Sequence, residues 1–230
     1  MPRIFDNIEK GLLPALRETL SISTRSDFCV GYFNLRGWKA IDELIEQWPG
    51  GPGAQCRLLV GMQRSPQDEL RVSLTMTGID QLDNQTALRF KRKLAEEFRD
   101  QLTLGVPTNS DEAGLQRLAN QLRTKRVVVK LFLRHPLHAK LYLLFRADPN
   151  NPVTGFLGSS NLTLAGLSKQ GELNVDVLDQ DATTKLTKWF DDLWNDRWCI
   201  DITDELIEVI EQSWAREEAP SPNLIYEKMA

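Results

Sequence analysis

The sequence predicts an α/β fold in which helices flank a mixed, largely parallel central sheet of about six to seven strands. Two observations predict this class. Near the start, strand-like and helix-like segments alternate, as in a βαβ unit with a right-handed crossover. In the second half, four apolar segments of strand length follow one another before two closing helices. A length of 230 residues is typical of one domain.

The first half of the chain supplies the predicted βαβ unit. Apolar residues at helical spacing predict a helix over 3–20. A strand over 27–33 and a helix over 37–48 follow, and the loop PGGPG leads into a strand over 56–62. We interpret 64–86 as a loop that contains a short helix.

The second half begins with two helices and continues with strands. One helix is predicted over 87–104, and another runs from Asp111, a suitable N-cap residue, to about Lys125. Strands are predicted over 127–133, 139–145, 154–160 and 172–178, and closing helices near 182–195 and 203–216.

The tail PSPNLIYEKMA begins a new segment after two prolines and then stops. We therefore expect one domain over 1–217 and a linker over 218–230 that leads to a further C-terminal region.

Charge is unevenly distributed, although the net charge is only -4 at pH 7. Basic residues outnumber acidic ones from Arg89 to Arg146, and the balance reverses from Glu172 to Glu218. Such a chain could hold a polyanion on one face; the alternative is that both runs are solvated helix faces. The candidates for contact with nucleic acid are Arg89, Lys91, Arg92, Lys93, Arg123, Lys125, Arg126, Lys130 and Arg134. Edge charges exposed to water are the alternative for the last two.

Several classes of protein are disfavoured by composition. No apolar run reaches the roughly 18 residues of a membrane span, and the N-terminus does not resemble a secretory signal. Cys29, Cys56 and Cys199 are odd in number and far apart, which favours reduced thiols and a cytoplasmic location. With 2 histidines in the chain, we expect no metal site and no cofactor.

The segment LHAKLYLLF carries the first candidate catalytic pair, His138 and Lys140. On a strand, residues two apart project from the same face, so both side chains are expected side by side. An imidazole there can attack a phosphorus atom while the ammonium neutralises a non-bridging oxygen. Two residues with this spacing also occur often by chance.

Two further segments supply polar groups suited to a phosphate. Gly158, Ser159, Ser160 and Asn161 end one predicted strand, where small residues allow close approach and the polar ones can donate to phosphate oxygens. Glu172 opens the next strand and could accept the second imidazole N–H. The alternatives are an ordinary strand-to-turn connection and a surface glutamate without a partner.

Taken together, His138-Ala-Lys140, Gly158-Ser-Ser-Asn161 and Glu172 resemble the phospholipase D superfamily, in its nuclease-like branch. The stretch DFCVGYFNLRGWKAIDELI with CRLLVGM resembles that branch's opening βαβ unit, and KWFDDLWND resembles its late helix. SPNLIYEKM is similar to the joint with a bacterial superfamily-2 helicase motor. Phe145 stands where many members carry the Asp of the "HKD" signature.

The resemblance implies a phospholipase D-like fold with one motif per chain, and a metal-independent phosphodiesterase. His138, Lys140, Asn161 and Glu172 would be catalytic, and Gly158, Ser159 and Ser160 would bind the phosphate. Because the family uses two histidines across a two-fold axis, the chain would act as a homodimer. DNA, single- or double-stranded, is the expected partner, within a helicase-linked restriction or defence protein.

Two other functions stay open. A catalytically silent nucleic-acid-binding module is the first alternative, favoured by Phe145 and the acidic total charge. A lipid phosphodiesterase or phosphatidyl transferase is the second, although the lack of a membrane segment and of a second motif in the sequence argues against it. His135 is interpreted as structural or surface-exposed, while Tyr32 and Trp38 could line the cleft or belong to the core.

Overall fold

The computed structural model describes residues 2–61, 84–103 and 109–213. Within these residues the strands are β1 (Ile4–Phe5), β2 (Arg25–Val30), β3 (Cys56–Gly61), β4 (Val127–Phe132), β5 (Leu141–Phe145), β6 (Val153–Gly158), β7 (Asn174–Val177) and β8 (Cys199–Asp201). The helices are α1 (Leu12–Ser21), α2 (Leu35–Trp38), α3 (Asp42–Ile45), α4 (Asn84–Leu102), α5 (Asn109–Arg123), α6 (Leu164–Ser168), α7 (Gln180–Trp194) and α8 (Thr203–Glu211).

All eight described strands join one sheet in the order β1-β7-β6-β5-β2-β3-β4-β8. The predicted mixed α/β class, with helices flanking one sheet, is confirmed. The sheet is not largely parallel, because only β2–β3 and β3–β4 pair in parallel among the described strands. The short connection between β5 and β6 favours an antiparallel pair, and the short edge strands β1 and β8 raise the strand number above the prediction.

Two predicted helices have different bounds in the structure. Residues predicted as the start of the first helix form β1, and α1 begins only at Leu12. The carboxylate of Asp6 accepts the backbone N–H groups of Ile8, Glu9 and Lys10, which makes a turn before the helix. The helix predicted over 37–48 is divided into α2 and α3.

Other predictions stand close to the observed bounds or fall outside the described residues. The strand β3 and the helices α4, α5, α7 and α8 lie where they were expected, although α5 begins at Asn109 rather than after Asp111. Most of the predicted loop over 64–86 and the domain boundary near 217 lie outside the described residues.

Each face of the sheet buries its own apolar cluster. The larger cluster lies beneath α1, α4, α5 and α8 and includes Phe28, Trp38 and Tyr142. On the opposite face, α7 packs Phe190 and Trp194 against a smaller cluster centred on Cys29 and Leu141. The carboxyl ends of the parallel strands β2, β3 and β4 lie together at one end of the sheet, where ligand sites are expected in such folds; because the predicted catalytic residues are sought there, we call it the catalytic end.

Candidate active site

His138 and Lys140 lie in an extended segment that precedes β5, so the prediction that they belong to a strand is wrong. The segment crosses the catalytic end of the sheet over two glycines. A Cβ atom on Gly61 would lie 2.4 Å from the carbonyl oxygen of Leu137, and one on Gly31 would lie 3.0 Å from it. Only glycine allows this close approach, which brings His138 directly over the strand ends.

The two side chains of the H-x-K pair have different surroundings. His138 is exposed, and its imidazole forms no hydrogen bond with any residue that the structure describes. The Lys140 ammonium folds back and donates to the backbone carbonyl of His138, with 2.5 Å between nitrogen and oxygen. A cationic group therefore lies at the backbone of His138, whose side chain is accessible.

Asn161 lies next to His138. A Cβ atom on Gly31 would be 3.4 Å from Asn161 Oδ1 and 3.5 Å from His138 Cα, so both residues adjoin the same point. The backbone N–H of Tyr32 donates to Asn161 Oδ1 at 2.9 Å. Because the oxygen is occupied, the Nδ2 group is left to donate to a ligand.

Ser159 and Glu172 close the other side of the cluster. The Ser159 hydroxyl donates to Glu172 Oε2, and it accepts the backbone N–H of Leu173 at 2.9 Å. The backbone N–H of Gly158 donates to the carbonyl of Lys140 at 3.2 Å, which brings this loop beside the H-x-K pair. The Glu172 carboxylate is thus held by Ser159, and the predicted bond from Glu172 to an imidazole is not formed here.

Ser160 faces the interior and not the site. It is fully buried, and its hydroxyl accepts from Asn174 Nδ2 at 2.8 Å while its N–H donates to Asn174 Oδ1 at 3.2 Å. The Tyr142 hydroxyl donates to the Ser160 carbonyl at 2.8 Å. These buried bonds fix the loop, so direct phosphate binding by Ser160 is not supported.

Gly158 also has a packing role. A Cβ atom there would lie 2.2 Å from the carbonyl oxygen of Leu173, so the close approach is to β7 and not only to a ligand. Sequence reasoning missed Asn174 and Tyr142 as supports of the loop. The signal that could have found them is a polar group at a buried strand position, Tyr142 on β5 and Asn174 on β7, because such a group needs a hydrogen-bond partner.

Phe145, at the position of the missing signature Asp, lies at the far end of β5 from Lys140. The Arg25 guanidinium carbon stands 3.4 Å from the centre of its ring. At ~3.4 Å per strand residue, this position is roughly 17 Å from Lys140. An acid there would therefore not reach a phosphate beside His138.

The structure separates the candidates for nucleic-acid contact. Arg123 and Arg126 precede β4, at the end of the sheet opposite His138. Arg123 pairs with Glu211, and Arg126 Nε donates to the Trp48 carbonyl at 2.6 Å. Lys93 is half-buried on α4. Arg123 and Arg126 are therefore not brought to the catalytic end.

Lys130 and Arg134 lie nearer to the site. The Lys130 ammonium donates to the Trp194 carbonyl at 3.1 Å and stands 4.6 Å from the centre of the Trp194 ring, which occupies it within the fold. Arg134 is about half exposed at the catalytic end, where it pairs with Asp196 at 2.9 Å.

Much of the remaining basic run faces the acidic run. Pairs join α4 and α5 to the last helix: Lys91 with Glu205, Arg92 with Glu208, Arg123 with Glu211 and Lys125 with Asp204. Part of the basic run is therefore neutralised where it meets the last helix.

The remaining aromatic and histidine candidates have clear positions. Trp38 belongs to the core, since it is fully buried and its Nε1–H donates to Gln121 at 3.0 Å. Tyr32 is partly buried at the site, and burial raises the pKa of its hydroxyl. His135 is exposed and packs edge-on against Phe132.

The three cysteines are buried and unpaired. Burial raises the pKa of Cys29, Cys56 and Cys199 to about 12, so these thiols are poor nucleophiles at neutral pH. Within the described ranges, no group of His, Cys, Asp and Glu side chains is placed to hold a metal ion. A helix long and apolar enough to cross a membrane is likewise absent from the described part of the chain.

The family profile described as "Cardiolipin synthase, PLD-like domain" matches residues 16–194, which include every residue of the cluster. The chain belongs to the phospholipase D-like family. This membership confirms the family predicted from the motifs and supports an enzyme that acts on phosphodiesters. No protein of curated function matches the sequence significantly.

Three solved structures are similar to this chain at low identity. Nuc, a phospholipase D family member from Salmonella typhimurium, is 12% identical over 87% of this chain and 97% of its own, with a TM-score of 0.49. NucT from Helicobacter pylori is 11% identical over 87% and 98%, with a TM-score of 0.48. Phosphatidylserine synthase from Haemophilus influenzae is 14% identical over 99% and 44%, also with a TM-score of 0.48.

Proposed function

We propose that this chain is a metal-independent phosphodiesterase of the endonuclease type, acting on DNA through a phosphohistidine intermediate in a homodimeric site. The observation that carries the proposal is the gathering of His138, Lys140, Ser159, Asn161 and Glu172 at one end of the sheet. These residues come from three separate segments of a phospholipase D-like chain. An exposed imidazole beside an ammonium and an amide donor suits attack on a phosphodiester.

The proposed reaction has two displacements. A ring nitrogen of His138 attacks phosphorus, a P–N bond forms, and the P–O bond to the leaving oxygen breaks. A second imidazole gives the leaving oxygen its proton. Water then attacks the phosphohistidine while the second imidazole takes a proton from it, and the P–N bond breaks, which releases a phosphomonoester and restores both imidazoles. Lys140 and Asn161 Nδ2 stabilise the charge on the non-bridging oxygens.

The homodimer is proposed because each chain offers one imidazole at the cluster. A partly exposed apolar row also supports it: Ile4 pairs with Val175, and Val175 pairs with Leu157, on the sheet face that α7 covers. Ile4 is 62% exposed, and Leu173, which bonds to Ser159, is 64% exposed. A two-fold contact across this row would bring two copies of the cluster together.

DNA as substrate and a place in a helicase-linked restriction or defence protein belong to the same proposal. They depend on the motif resemblance of the nuclease-like branch and of the C-terminal tail. The test is incubation of the purified chain with labelled single- and double-stranded DNA, in parallel with phosphatidylcholine vesicles. We expect cleavage of DNA, loss of cleavage in Lys140→Ala, and no release of headgroup from the vesicles.

The alternatives give different results in that test. A silent binding module would bind DNA at low salt without turnover, and the binding would weaken as salt rises. The description of the matching family names a cardiolipin synthase, so a lipid enzyme is the other alternative. A lipid enzyme would hydrolyse the vesicles and leave DNA intact. Either result would replace the proposed function.

A further inference from the structure

Most cations of the described chain have carboxylate partners. The exposed or partly exposed pairs include Arg17 with Glu43, Lys39 with Asp111, Arg117 with Asp42, Lys185 with Asp181 and Lys188 with Asp192. Together with the pairs between α4, α5 and α8, they neutralise much of the positive surface away from His138.

Three exposed cations at the catalytic end differ from these. Arg36, Lys169 and Arg197 form neither a salt bridge nor a side-chain hydrogen bond within the described part of the chain. The contact of Arg197 is with the Trp198 ring, at 5.5 Å from the ring centre. Their charges are therefore available to a polyanion.

Arg36 and Lys169 lie on the side of the site that holds Asn161. Arg36 is on α2, and a Cβ atom on its neighbour Gly37 would lie 2.5 Å from the Leu162 carbonyl oxygen. Backbone contact thus places α2 directly beside the Asn161 loop. Lys169 follows α6, in the short connection between Asn161 and Glu172.

Arg197 lies on the other side of the site, in the connection from α7 to β8. The backbone N–H of Leu133 donates to the Trp198 carbonyl at 3.0 Å, which joins this connection to the segment that continues to His138. The neighbouring Arg134 is half exposed, but Asp196 already neutralises it.

We infer that Arg36, Lys169 and Arg197 form a track that contacts backbone phosphates on both sides of His138. The inference rests on the proposed function, because the track would bind the DNA that His138 is proposed to cleave. From β6 to β8 there are five strand spacings, or ~24 Å. That distance corresponds to roughly seven nucleotide steps of a duplex at ~3.4 Å each.

The test measures binding of single- and double-stranded DNA oligonucleotides as a function of salt, with His138→Ala throughout so that the DNA stays intact. The variant carries Arg36→Ala, Lys169→Ala and Arg197→Ala together. Each lost phosphate contact lowers the slope of log K against log salt by ~0.7 for single strands and ~0.9 for duplexes. We expect the slope to fall by about 2 to 3.

A matched variant removes three charges elsewhere: Arg146→Ala, Lys185→Ala and Lys188→Ala. Arg146 follows β5 at the opposite end of the sheet, while Lys185 and Lys188 pair with Asp181 and Asp192 on α7. We expect its slope to change by less than about 1. Equal changes in the two variants, or no change in the first, would overturn the track.

Failure of the track is distinguishable from failure of the proposed function. With His138 intact, hydrolysis of bis(p-nitrophenyl) phosphate needs the catalytic cluster but no extended backbone. The track variant should therefore retain its rate on this small diester within about twofold, since its substitutions lie outside the cluster. A fall of more than tenfold on the small diester would show that these residues serve the cluster and not a track.

Discussion

The hydrogen bond from the Tyr32 N–H to Asn161 Oδ1 fixes which end of this amide faces the site. Replacement of Asn161 by Asp keeps the acceptor for Tyr32 but removes the donor and places a negative charge where phosphate would bind. Loss of one such donor typically costs about 10²–10³ in rate. We expect Asn161→Asp to lower kcat/KM by at least about 100-fold with an unchanged unfolding midpoint, and wild-type kinetics would exclude a phosphate contact.

Phe145 tests whether the absent signature Asp matters for turnover. It stacks on Arg25 at the end of β5 far from Lys140, so no group at this position reaches the cluster. We expect Phe145→Asp to leave kcat/KM on DNA within about twofold, while the lost ring contact costs on the order of 1 kcal/mol in the free energy of unfolding. A tenfold or larger gain in activity would mean that the acid acts on the site.

At the scale of elements, the loop between β6 and α6 depends on Asn174 at the start of β7. Asn174→Ala leaves the Ser160 N–H and hydroxyl without buried partners, each at a cost of about 1–3 kcal/mol. We expect urea denaturation to show a loss of about 2–4 kcal/mol, accompanied by lower kcat.

Ser160→Ala is the matched comparison, because it removes one of these partners and leaves the backbone bond. We expect a smaller loss of about 1–2 kcal/mol and a KM close to the wild-type value. A tenfold rise in KM without loss of stability would show that the Ser160 hydroxyl contacts substrate after all.

The elements also show what the sequence could predict. The residues around His138 could be named because polar side chains of phosphate chemistry flank strand-like segments, and the structure brings those segments to one end of the sheet. The antiparallel half could not be inferred, because an apolar segment such as β5 does not encode the direction of its neighbours. Ser160 was predicted to bind phosphate because the sequence does not show, at the end of a strand, which side chains point outward and which point into the core.

For the whole molecule, the opposed basic and acidic runs left two alternatives open: a surface that holds a polyanion on one face, or two solvated helix faces. Pairing of Lys125 with Asp204 and of Arg123 with Glu211 shows that they meet across α5 and α8. Whether two charged runs pair depends on contacts between segments that are distant in the chain, and a local sequence pattern does not show such contacts.

The apolar row of β1, β7 and β6 gives a prediction for assembly. Leu157→Glu and Leu173→Glu together place two charges in the proposed two-fold contact. We expect light scattering to show monomers and DNA cleavage to fall at least about 100-fold, since an isolated chain would lack the second imidazole.

Leu88→Glu is the control for this variant, because Leu88 is a 59% exposed leucine on α4. It should leave both the mass and the activity unchanged. A monomeric but fully active Leu157→Glu, Leu173→Glu variant would contradict a shared site.

The most direct test of a metal-independent reaction at His138 compares cleavage of labelled DNA by the wild type and by His138→Ala. Both proteins are assayed in excess EDTA, at a concentration where the wild type is dimeric. His135→Ala serves as the control, since its ring packs on Phe132 outside the cluster. We predict cleavage by the wild type and by His135→Ala, and a loss of at least about 1,000-fold in His138→Ala. Cleavage by His138→Ala at the wild-type rate, or wild-type cleavage abolished by EDTA, would contradict a metal-independent reaction at His138.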